Sequence, residues 1–488
     1  MTKYTFLTIL FTLLVNNTIG SSNQLHAQGF KPYPFLTNKI FNVLNTLFMA
    51  SFTLVSANIK RSLFSFSILI ALTIVLLCNT NNAAKAQTLF GEQQIITTNA
   101  IGVNDVYAID LDGDGDNDVL SASNYDDKIA WYENNGNGNF SAEQIITTNT
   151  DGVYSIYTID LDSDGDNDVL SASEYDDKIA WYENDGNGNF STEQIISNNA
   201  NSAQSVYAID LDGDGDNDVL SASVYDNKIA WYENDGSGNF SNEQIINTNA
   251  SGVTDVYAID INGDGDNDVL SASVYDSKIA WYANDGTGNF STEQIITVND
   301  NYKGNVYATD LDNDGDNDVL SVSQEDNKIA WYENDGNGNF SAEQIINANV
   351  ISVSYVYVID IDGDGDNDVI SASLWDNKIA WYINDGAGNF GEQQIITTNA
   401  IGACSVYAID LDNDEDNDVL SASSDDNKIA WYENTLNNPK ISGHVFYDTN
   451  QNGLFDNSEV ALDNQNTELQ PANTIAYSNQ HECHLEGI

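Results

Sequence analysis

The chain has 488 residues, of which 75 are Asp or Glu and only 15 are Lys or Arg, giving a formal net charge of −60. Residues 1–86 contain no acid, so the segment after them holds nine Lys, no Arg and all 75 acids, a net charge of −66. This charge excludes nucleic acid and anionic lipid as partners, because both are bound through basic patches.

The N-terminal region has the features of an export signal. The basic pair Lys60-Arg61 precedes an apolar run from Leu63 to Leu77, and Ala84-Lys85-Ala86 is a small-x-small cleavage site. We therefore expect a signal peptide at residues 60–86 and a mature chain that is secreted or cell-surface and does not span the membrane. Residues 1–59 are either a second export-like stretch or an extension upstream of the true start, for which Met49 is a candidate.

From about residue 90 to residue 433 the chain repeats every 50 residues. In the first unit, runs rich in Val, Ile, Tyr and Trp predict strands at Val106–Leu111, Asp118–Ser123, Lys128–Glu133 and Glu143–Thr147. The Asn-Gly segment 134–139 indicates a hairpin between the third and fourth strands. Seven units of four antiparallel strands predict an all-β fold, a seven-bladed β-propeller over residues 87–436.

The two ends of the array predict that it closes into a ring. The seventh unit stops at Glu433 without a fourth strand, and Phe90–Gly102 repeats the thirteen residues of Phe390–Gly402. An N-terminal strand at about Phe90–Thr97 can therefore complete the seventh blade and remove the open sheet edges. A linear solenoid is the alternative, but it needs no matching strand at its start.

Each unit also contains an Asp-rich loop, the first being DLDGDGDND from Asp110 to Asp118. Five carboxylates within nine residues repel one another, each close pair by about 1 kcal/mol even in water, so a bound cation is expected. Hard oxygen ligands in a flexible loop favour Ca²⁺ over a transition metal. The alternative is a merely solvated acidic edge. Seven bound Ca²⁺ would cancel about 14 charges and stabilise the folded form.

The unit VYAIDLDGDGDNDVLSAS…KIAWYENDGNGNF resembles the FG-GAP/VCBS repeats of bacterial surface proteins, which are related to the calcium-binding blades of the integrin α-subunit propeller. The resemblance covers about Phe90 to Glu433. It implies side-chain ligands at loop positions one, three, five and nine and a carbonyl ligand at position seven, with Gly115 at position six allowing the turn. The implied ligands are Asp110, Asp112, Asp114, Asp116 and Asp118; Asp160, Asp162, Asp164, Asp166 and Asp168; Asp210, Asp212, Asp214, Asp216 and Asp218; Asp260, Asn262, Asp264, Asp266 and Asp268; Asp310, Asp312, Asp314, Asp316 and Asp318; Asp360, Asp362, Asp364, Asp366 and Asp368; and Asp410, Asp412, Asp414, Asp416 and Asp418.

Two loops depart from this pattern. Asn262 replaces an Asp at position three of the fourth loop and remains an oxygen ligand with one charge fewer. Glu415 replaces the Gly at position six of the seventh loop, where a side chain resists the left-handed backbone. We therefore expect the seventh site to be the weakest or most distorted.

The C-terminal residues 437–488 differ from the repeats. The run ISGHVFYDTNQNGLFDNSE resembles the opening of an SdrD B-like immunoglobulin-type module, and its loop fits a calcium-binding pattern. The ligands implied there are Asp448, Asn450, Asn452 and Glu459. The segment is too short for a complete sandwich, so a truncated module is expected.

Composition argues against an enzyme. The repeats contain no His and no Arg, and their only Cys is Cys404, which excludes Ser-His-Asp and Cys-His catalysis and a His-ligated zinc site within them. Paired carboxylates for glycoside hydrolysis stay open, although the acids lie in loops that metal should occupy. No catalytic residue is predicted.

A secreted calcium-binding scaffold for adhesion or protein interaction is the preferred hypothesis. The alternative is a carbohydrate-binding propeller, either a lectin or a non-catalytic module of a glycan-degrading system. The partner would be an extracellular protein or a glycan. The loops that vary between units are predicted at one face: the 4–1 loops at Asn104-Asp105, Tyr154-Ser155, Gln204-Ser205, Lys303-Gly304 and Ser354-Tyr355, and the 2–3 loops at Asn124-Tyr125, Glu174-Tyr175, Val224-Tyr225, Val274-Tyr275, Gln324-Glu325, Leu374-Trp375 and Ser424-Asp425. Unselected drift would also explain this variation, whereas function on propellers usually lies in such loops.

The repeated Trp of KIAWYEN could serve as a sugar-stacking platform. A Trp at the same strand position in every blade is, however, more typical of packing between blades. The neighbouring Lys of each unit, such as Lys128, is interpreted as a local counter-charge.

Overall fold

The structure is a computed structural model, and it describes residues 89–298 and 304–436. These residues form seven four-stranded antiparallel sheets. Helices are absent from this part of the chain, and with them any helical membrane span. The predicted C-terminal ligands Asp448, Asn450, Asn452 and Glu459, the SdrD B-like segment and the signal peptide lie outside the described residues.

Each sheet is one blade, and its strands follow one another in chain order. The first strands are β2 (Val103–Ile109), β6 (Val153–Ile159), β10 (Ala203–Ile209), β14 (Val253–Ile259), β18 (Val306–Thr309), β22 (Val353–Ile359) and β26 (Ala403–Ile409). The second strands are β3 (Asp118–Ser123), β7 (Asp168–Ser173), β11 (Asp218–Ser223), β15 (Asp268–Ser273), β19 (Asp318–Ser323), β23 (Asp368–Ser373) and β27 (Asp418–Ser423). The third strands are β4 (Lys128–Tyr132), β8 (Lys178–Tyr182), β12 (Lys228–Tyr232), β16 (Lys278–Tyr282), β20 (Lys328–Tyr332), β24 (Lys378–Tyr382) and β28 (Lys428–Tyr432). The fourth strands are β5 (Gln144–Thr147), β9 (Gln194–Ser197), β13 (Gln244–Asn247), β17 (Gln294–Thr297), β21 (Gln344–Asn347), β25 (Gln394–Thr397) and, in the seventh blade, β1 (Gln94–Thr97).

Strand β1 closes the ring, as the sequence predicts. It pairs with β28 so that Gln94 lies opposite Trp431, the same register that Gln144 and Trp131 have in the first blade. Phe90 then bridges to Asn434 and packs edge-on against Trp381, with ring centroids 6.2 Å apart. The N-terminus thereby supplies both the strand and the aromatic contact that the last unit lacks.

The hydrophobic core lies between neighbouring blades. In the first interface, Leu120, Ile129 and Trp131 of one blade pack against Ile156 and other residues of the next blade. Trp131 is only 3% exposed and meets the Phe190 ring of the next blade at 6.5 Å. The Trp residues at positions 181, 231, 281, 331, 381 and 431 are likewise buried, which confirms inter-blade packing and removes them as sugar platforms.

The repeated Lys is a buried counter-charge. Lys128 places its Nζ 3.0 Å from Asp126 and 2.7 Å from Glu143, linking a turn to the fourth strand. Because solvent screens a partly buried ion pair less, such a pair contributes more to the stability of the fold than a fully exposed one does.

In the first unit, the predicted start of the first strand was wrong by three residues. Strand β2 begins at Val103 rather than Val106, and its pairing with β3 contains a register shift between Val103 and Asp105. Such a bulge inserts an unpaired residue, which hides the alternation that marks a strand. The pairs Asn104-Asp105, Tyr154-Ser155, Gln204-Ser205 and Ser354-Tyr355 therefore lie within first strands and not in 4–1 loops.

Candidate functional site

The acidic loops directly follow the first strands and are folded by their own carboxylates. In the first loop, Asp110 Oδ1 accepts a hydrogen bond from the Gly113 N–H at 2.7 Å and Oδ2 accepts one from Gly115 at 3.0 Å. Gly115 has φ of 94°, in the region that favours glycine. The loop is thus wound around the side chain at its first position.

Three of the predicted ligands converge in this loop. Oxygens of Asp110, Asp112 and Asp118 all lie within 4.8 Å of one another. Two oxygens that share one Ca²⁺ at about 2.4 Å can be at most about 4.8 Å apart, so this spacing suits a shared calcium ion. The same grouping recurs in other loops at Asp160, Asp162 and Asp168; at Asp210, Asp212 and Asp218; at Asp310, Asp312 and Asp318; and at Asp360, Asp362 and Asp368.

The ninth position is the buried anchor of the loop. Asp118 has no exposed surface, and its two oxygens accept hydrogen bonds from Leu111 N–H at 3.0 Å and Asn134 N–H at 2.8 Å. Burial, reinforced by the neighbouring charges of Asp112 and Asp114, raises the pKa of Asp118 to about 7. Protein groups alone therefore leave its charge poorly compensated.

Several buried carboxylate oxygens of the loops lack any hydrogen-bond partner. They are Asp160 Oδ1, Asp310 Oδ1, Asp312 Oδ1, Asp362 Oδ1 and Asp412 Oδ1. A buried polar oxygen without a partner costs about 1–3 kcal/mol, and more if it is charged. A hard cation among these oxygens would satisfy them, so the donor set fits Ca²⁺.

The other predicted positions take different places. Asp114 is exposed, accepts the Asp116 N–H at 2.9 Å and lies outside the three-carboxylate group. The Asp116 side chain lies against Gly136 of the hairpin and accepts a bond from Asn413 Nδ2 at 2.7 Å. Its side chain thus faces away from the group, which is compatible with a ligand role for its carbonyl only.

The two departing loops keep most of this arrangement. Asn262 Oδ1 accepts the Asp264 N–H at 3.0 Å, as Asp112 Oδ1 does for Asp114 in the first loop. In the seventh loop Glu415 is held at φ of 72°, and the Asp414 N–H turns to Asp410 Oδ1 at 3.3 Å. The seventh loop therefore differs in its hydrogen bonding, in the direction expected from a side chain at position six.

Asparagine side chains join the loops into a continuous belt. Asn117 Nδ2 donates to the Asp410 carbonyl of the preceding blade at 2.8 Å. Asn134 Nδ2 donates to the Leu411 carbonyl at 2.7 Å and to the Asn117 carbonyl at 2.9 Å. An ion that fixes one loop would thus also stiffen its contact with the neighbouring blade.

The opposite end of the blades carries exposed aromatic side chains on the turns between second and third strands. We call these five residues the aromatic collar: Tyr125, Tyr175, Tyr225, Tyr275 and Trp375, which are 60–76% exposed. Glu325 and Asp425 take the same position in the fifth and seventh blades. The structure thus confirms that the varied 2–3 turns present anchor-sized side chains to solvent.

A closed ring of seven tyrosines lines the central channel, and sequence reasoning missed it. Successive ring centroids lie 4.5–6.0 Å apart, and the last tyrosine returns to the first. The members of this tyrosine ring are Tyr107, Tyr157, Tyr207, Tyr257, Tyr307, Tyr357 and Tyr407. Burial raises the pKa of Tyr107, Tyr157 and Tyr407, so these hydroxyls stay protonated. The recurrence of Tyr at the same position in every 50-residue unit was the sequence feature from which this ring could have been predicted.

The family model described as FG-GAP-like repeat matches the chain six times in overlapping pairs of units, at residues 110–171, 160–221, 210–271, 260–321, 310–371 and 360–421. No curated protein matches the chain.

Solved structures are similar to this chain at low identity, and one with a TM-score above 0.5 shares its fold. A structure of BBS1N in complex with ARL6DN is 11% identical, with a TM-score of 0.51 over 73% of this chain and 99% of that one. A lectin from Agrocybe aegerita that recognises non-reducing terminal N-acetylglucosamine is 19% identical, with a TM-score of 0.47 over 66% of this chain and 86% of that one. AofleA from Arthrobotrys oligospora is 13% identical, with a TM-score of 0.41 over 62% and 89%.

Proposed function

Because this chain belongs to the FG-GAP-like repeat family and folds as a seven-bladed propeller, we propose that it is a calcium-stabilised binding scaffold that works outside the cell. The observation that carries the proposal is the convergence of Asp110, Asp112 and Asp118 and their counterparts, with unpartnered oxygens in several loops. Ca²⁺ held there would neutralise the loops and, through Asn117 and Asn134, lock neighbouring blades together.

The binding face is the end that carries the aromatic collar. Tyr and Trp are the side chains that most often anchor protein interfaces, and exposed aromatic groups mark interaction sites. The collar position is also one of the few that differ between otherwise similar units, since Glu325 and Asp425 replace the aromatic residue there. The uniform loops at the other end serve the metal and the fold.

Recognition without catalysis is the role that this chemistry supports. Within residues 89–436 the chain has no His or Arg, and Cys404 is the sole thiol. Burial raises the pKa of the Cys404 thiol to about 12, so the reactive thiolate does not form near neutral pH. Export rests on the predicted signal at residues 60–86, and adhesion to an extracellular protein follows from an exposed binding face on an exported scaffold.

The calcium part of the proposal is tested by counting metal. We expect native mass spectrometry of the purified protein in Ca²⁺ to show about one ion per intact acidic loop. Replacing Asp110 and Asp112 by Asn should remove one ion and leave the others. A protein that carries no calcium after equilibration with the ion would refute this part.

The binding part is tested with a collar variant on arrays of extracellular matrix proteins and glycans. In this variant, Ser replaces Tyr125, Tyr175, Tyr225, Tyr275 and Trp375. The matched control replaces Asn137, Asn187 and Asn337 by Ser on the opposite hairpins, where Ser237 occurs naturally. We expect protein binding that the collar variant loses and the hairpin variant keeps. Equal binding by both variants would contradict the assignment, and binding to glycans alone would favour the carbohydrate-binding alternative.

A further inference from the structure

A cavity of about 640 Å³ opens into the central channel at the collar end. Its wall is formed by the first strands of the blades at their bulges, and its inner end is the tyrosine ring. The bulge turns both Asn104 and Asp105 towards the cavity, although they are consecutive in one strand. Its volume lies within the range of about 300–1,000 Å³ that is typical of small-ligand sites.

The cavity holds two carboxylates and no basic side chain among the described residues that line it. Asp105 Oδ1 accepts bonds from Val106 N–H and Ser405 Oγ, both at 3.0 Å, and its Oδ2 accepts the Ile156 N–H at 3.1 Å. Burial raises the pKa of Asp105 to about 7, and the charge of Asp255 adds to the rise. Asp105 thus has three hydrogen-bond donors, but no positive charge among the described lining residues balances its carboxylate.

Asp255 is held in the same way on the fourth blade. Its Oδ1 accepts Ser205 Oγ at 2.8 Å, and its Oδ2 accepts Asn305 Nδ2 at 3.1 Å and the Val306 N–H at 2.9 Å. Burial raises the pKa of Asp255 to about 6. A carboxylate can accept about four hydrogen bonds, two on each oxygen. In both Asp105 and Asp255, one oxygen already accepts two hydrogen bonds, so a free acceptor site is left on the other oxygen only.

Two further tyrosines line the cavity between these acids. The hydroxyls of Tyr154 and Tyr355 have no hydrogen-bond partner among the described residues, and the charges of Asp105 and Asp255 act on both. Desolvation inside the cavity and the nearby carboxylates raise the pKa of Tyr154 to about 12 and that of Tyr355 well above its usual value, so both remain neutral. Both therefore add a neutral aromatic side chain to the cavity wall.

We propose that this cavity binds a primary alkylammonium group, with Asp105 and Asp255 as its counter-charges and Tyr154 and Tyr355 as its aromatic wall. A cation repairs the charge deficit that a neutral sugar would leave, and aromatic faces attract ammonium groups. A guanidinium group favours both oxygens of one carboxylate, which here are already engaged, whereas an ammonium donates to one oxygen at a time. The inference goes beyond the proposed scaffold function, because it requires neither the collar nor metal binding.

The test is isothermal titration of the calcium-saturated protein with n-butylammonium chloride. We expect saturable binding that n-butanol and n-butylguanidinium do not match. An acetylated peptide with one central Lys distinguishes the source of the amine: binding to this peptide, lost on Lys acetylation, indicates a protein side chain, and binding of the small amine alone indicates a free amine. No saturable n-butylammonium binding, or equal binding of the alcohol or the guanidinium, would overturn the proposal.

Two sets of variants locate the site. Asp105→Asn with Asp255→Asn should weaken n-butylammonium binding about tenfold or more, since each change removes a charged acceptor. Asn305, just before β18, occupies the equivalent repeat position naturally and accepts the Val356 N–H at 3.4 Å, so the repeat tolerates Asn there. Asp425→Asn, which removes an exposed charge on the same face, should change binding less than about twofold.

A single variant tests the site even if the double variant does not fold. Tyr355→Leu retains both acids and removes one aromatic face, and we expect it to weaken binding about threefold or more. Unchanged affinity in both Tyr355→Leu and the acid variants would refute the assignment of these residues.

Discussion

Single residues in the acidic loops show where the repeat tolerates backbone strain. Position six is Gly at φ of 94–98° in six loops, and Glu415 adopts φ of 72° in the seventh. Position four also needs a left-handed backbone, which sequence reasoning overlooked: Ser163 is held there at φ of 62°. Side chains in this region cost about 1–2 kcal/mol each, so these two residues reduce stability.

Replacing Glu415 by Gly should therefore stabilise the protein by about 0.5–1 kcal/mol, the relief of strain less the greater freedom of Gly in the unfolded chain. Urea unfolding in EDTA measures the difference without a metal contribution. Glu415→Gln is the control, because it removes the charge and keeps the strain. If Gln stabilises as much as Gly, charge and not backbone strain explains the effect.

Asp105 gives a pH dependence of unusual sign. Its folded pKa of about 7 lies above its ordinary value of 3.8, so folding favours the protonated form. The stability that this group contributes is complete below about pH 4 and is lost as pH rises to about 7. Cys404 and Tyr154 do not titrate in this window, since the pKa of each is raised to about 12. Asp255, with its pKa raised to about 6, titrates there in both proteins that are compared below.

We therefore expect the free energy of unfolding of the wild type, relative to Asp105→Asn, to fall as pH rises from about 4 to about 7, by up to about 4 kcal/mol. Urea unfolding of both proteins across this range gives the difference in unfolding free energy. The pH-dependent contribution of the acidic loops cancels in this difference, because both proteins contain the same loops. A difference that rises with pH would show that Asp105 is stabilised as a carboxylate and would contradict the account.

Single residues also show which parts of the candidate sites could be predicted from the sequence and which could not. The grouping of carboxylates in the loops from Asp110 onward could be predicted because these residues lie within nine positions of each other. The cavity could not, because Asp105 and Asp255 are separated by 150 positions and line one cavity only when the ring closes. Tyr107 resembles any aromatic residue of a half-buried strand, and only the seven-fold geometry makes it part of a ring.

At the scale of strands, the period of 50 residues was sufficient to predict the blades and their closure. The bounds of the second strand, Asp118–Ser123, were predicted correctly because Asp and Ser end an apolar run there. The start of the first strand was missed because the bulge near Asn104 breaks the alternation. Strand β1 was found through its identity with the sequence around β25, and its pairing with β28 confirms that prediction.

The ring closes where β1 pairs with β28. We expect the stability of this closure to depend on one aromatic contact. Phe90→Ala removes a 6% exposed ring from Trp381, and we expect it to cost about 3 kcal/mol of unfolding free energy. Phe190→Ala is the matched control, because the same contact with Trp131 lies on a half-buried ring within a continuous hairpin. Chemical unfolding of both variants should show the larger loss for Phe90. A loss below about 0.5 kcal/mol would mean that Phe90 does not secure the closure.

At the scale of the whole molecule, the propeller carries two different kinds of surface at its two ends. One end gathers seven acidic loops, linked from blade to blade by Asn117, Asn134 and their equivalents. The other end presents the aromatic collar and the mouth of the cavity. The net charge of −66 after residue 86 is a cost to the compact state, and it is densest where the predicted ions would bind.

Calorimetric unfolding with Ca²⁺ and with EDTA tests the central claim most directly. A site filled at a hundred times its dissociation constant contributes about 2.7 kcal/mol, and several such sites should raise the melting temperature by many degrees. We predict a melting temperature that climbs steadily with free Ca²⁺ and falls back when EDTA is added. The same melting temperature in both conditions would contradict a calcium-stabilised ring.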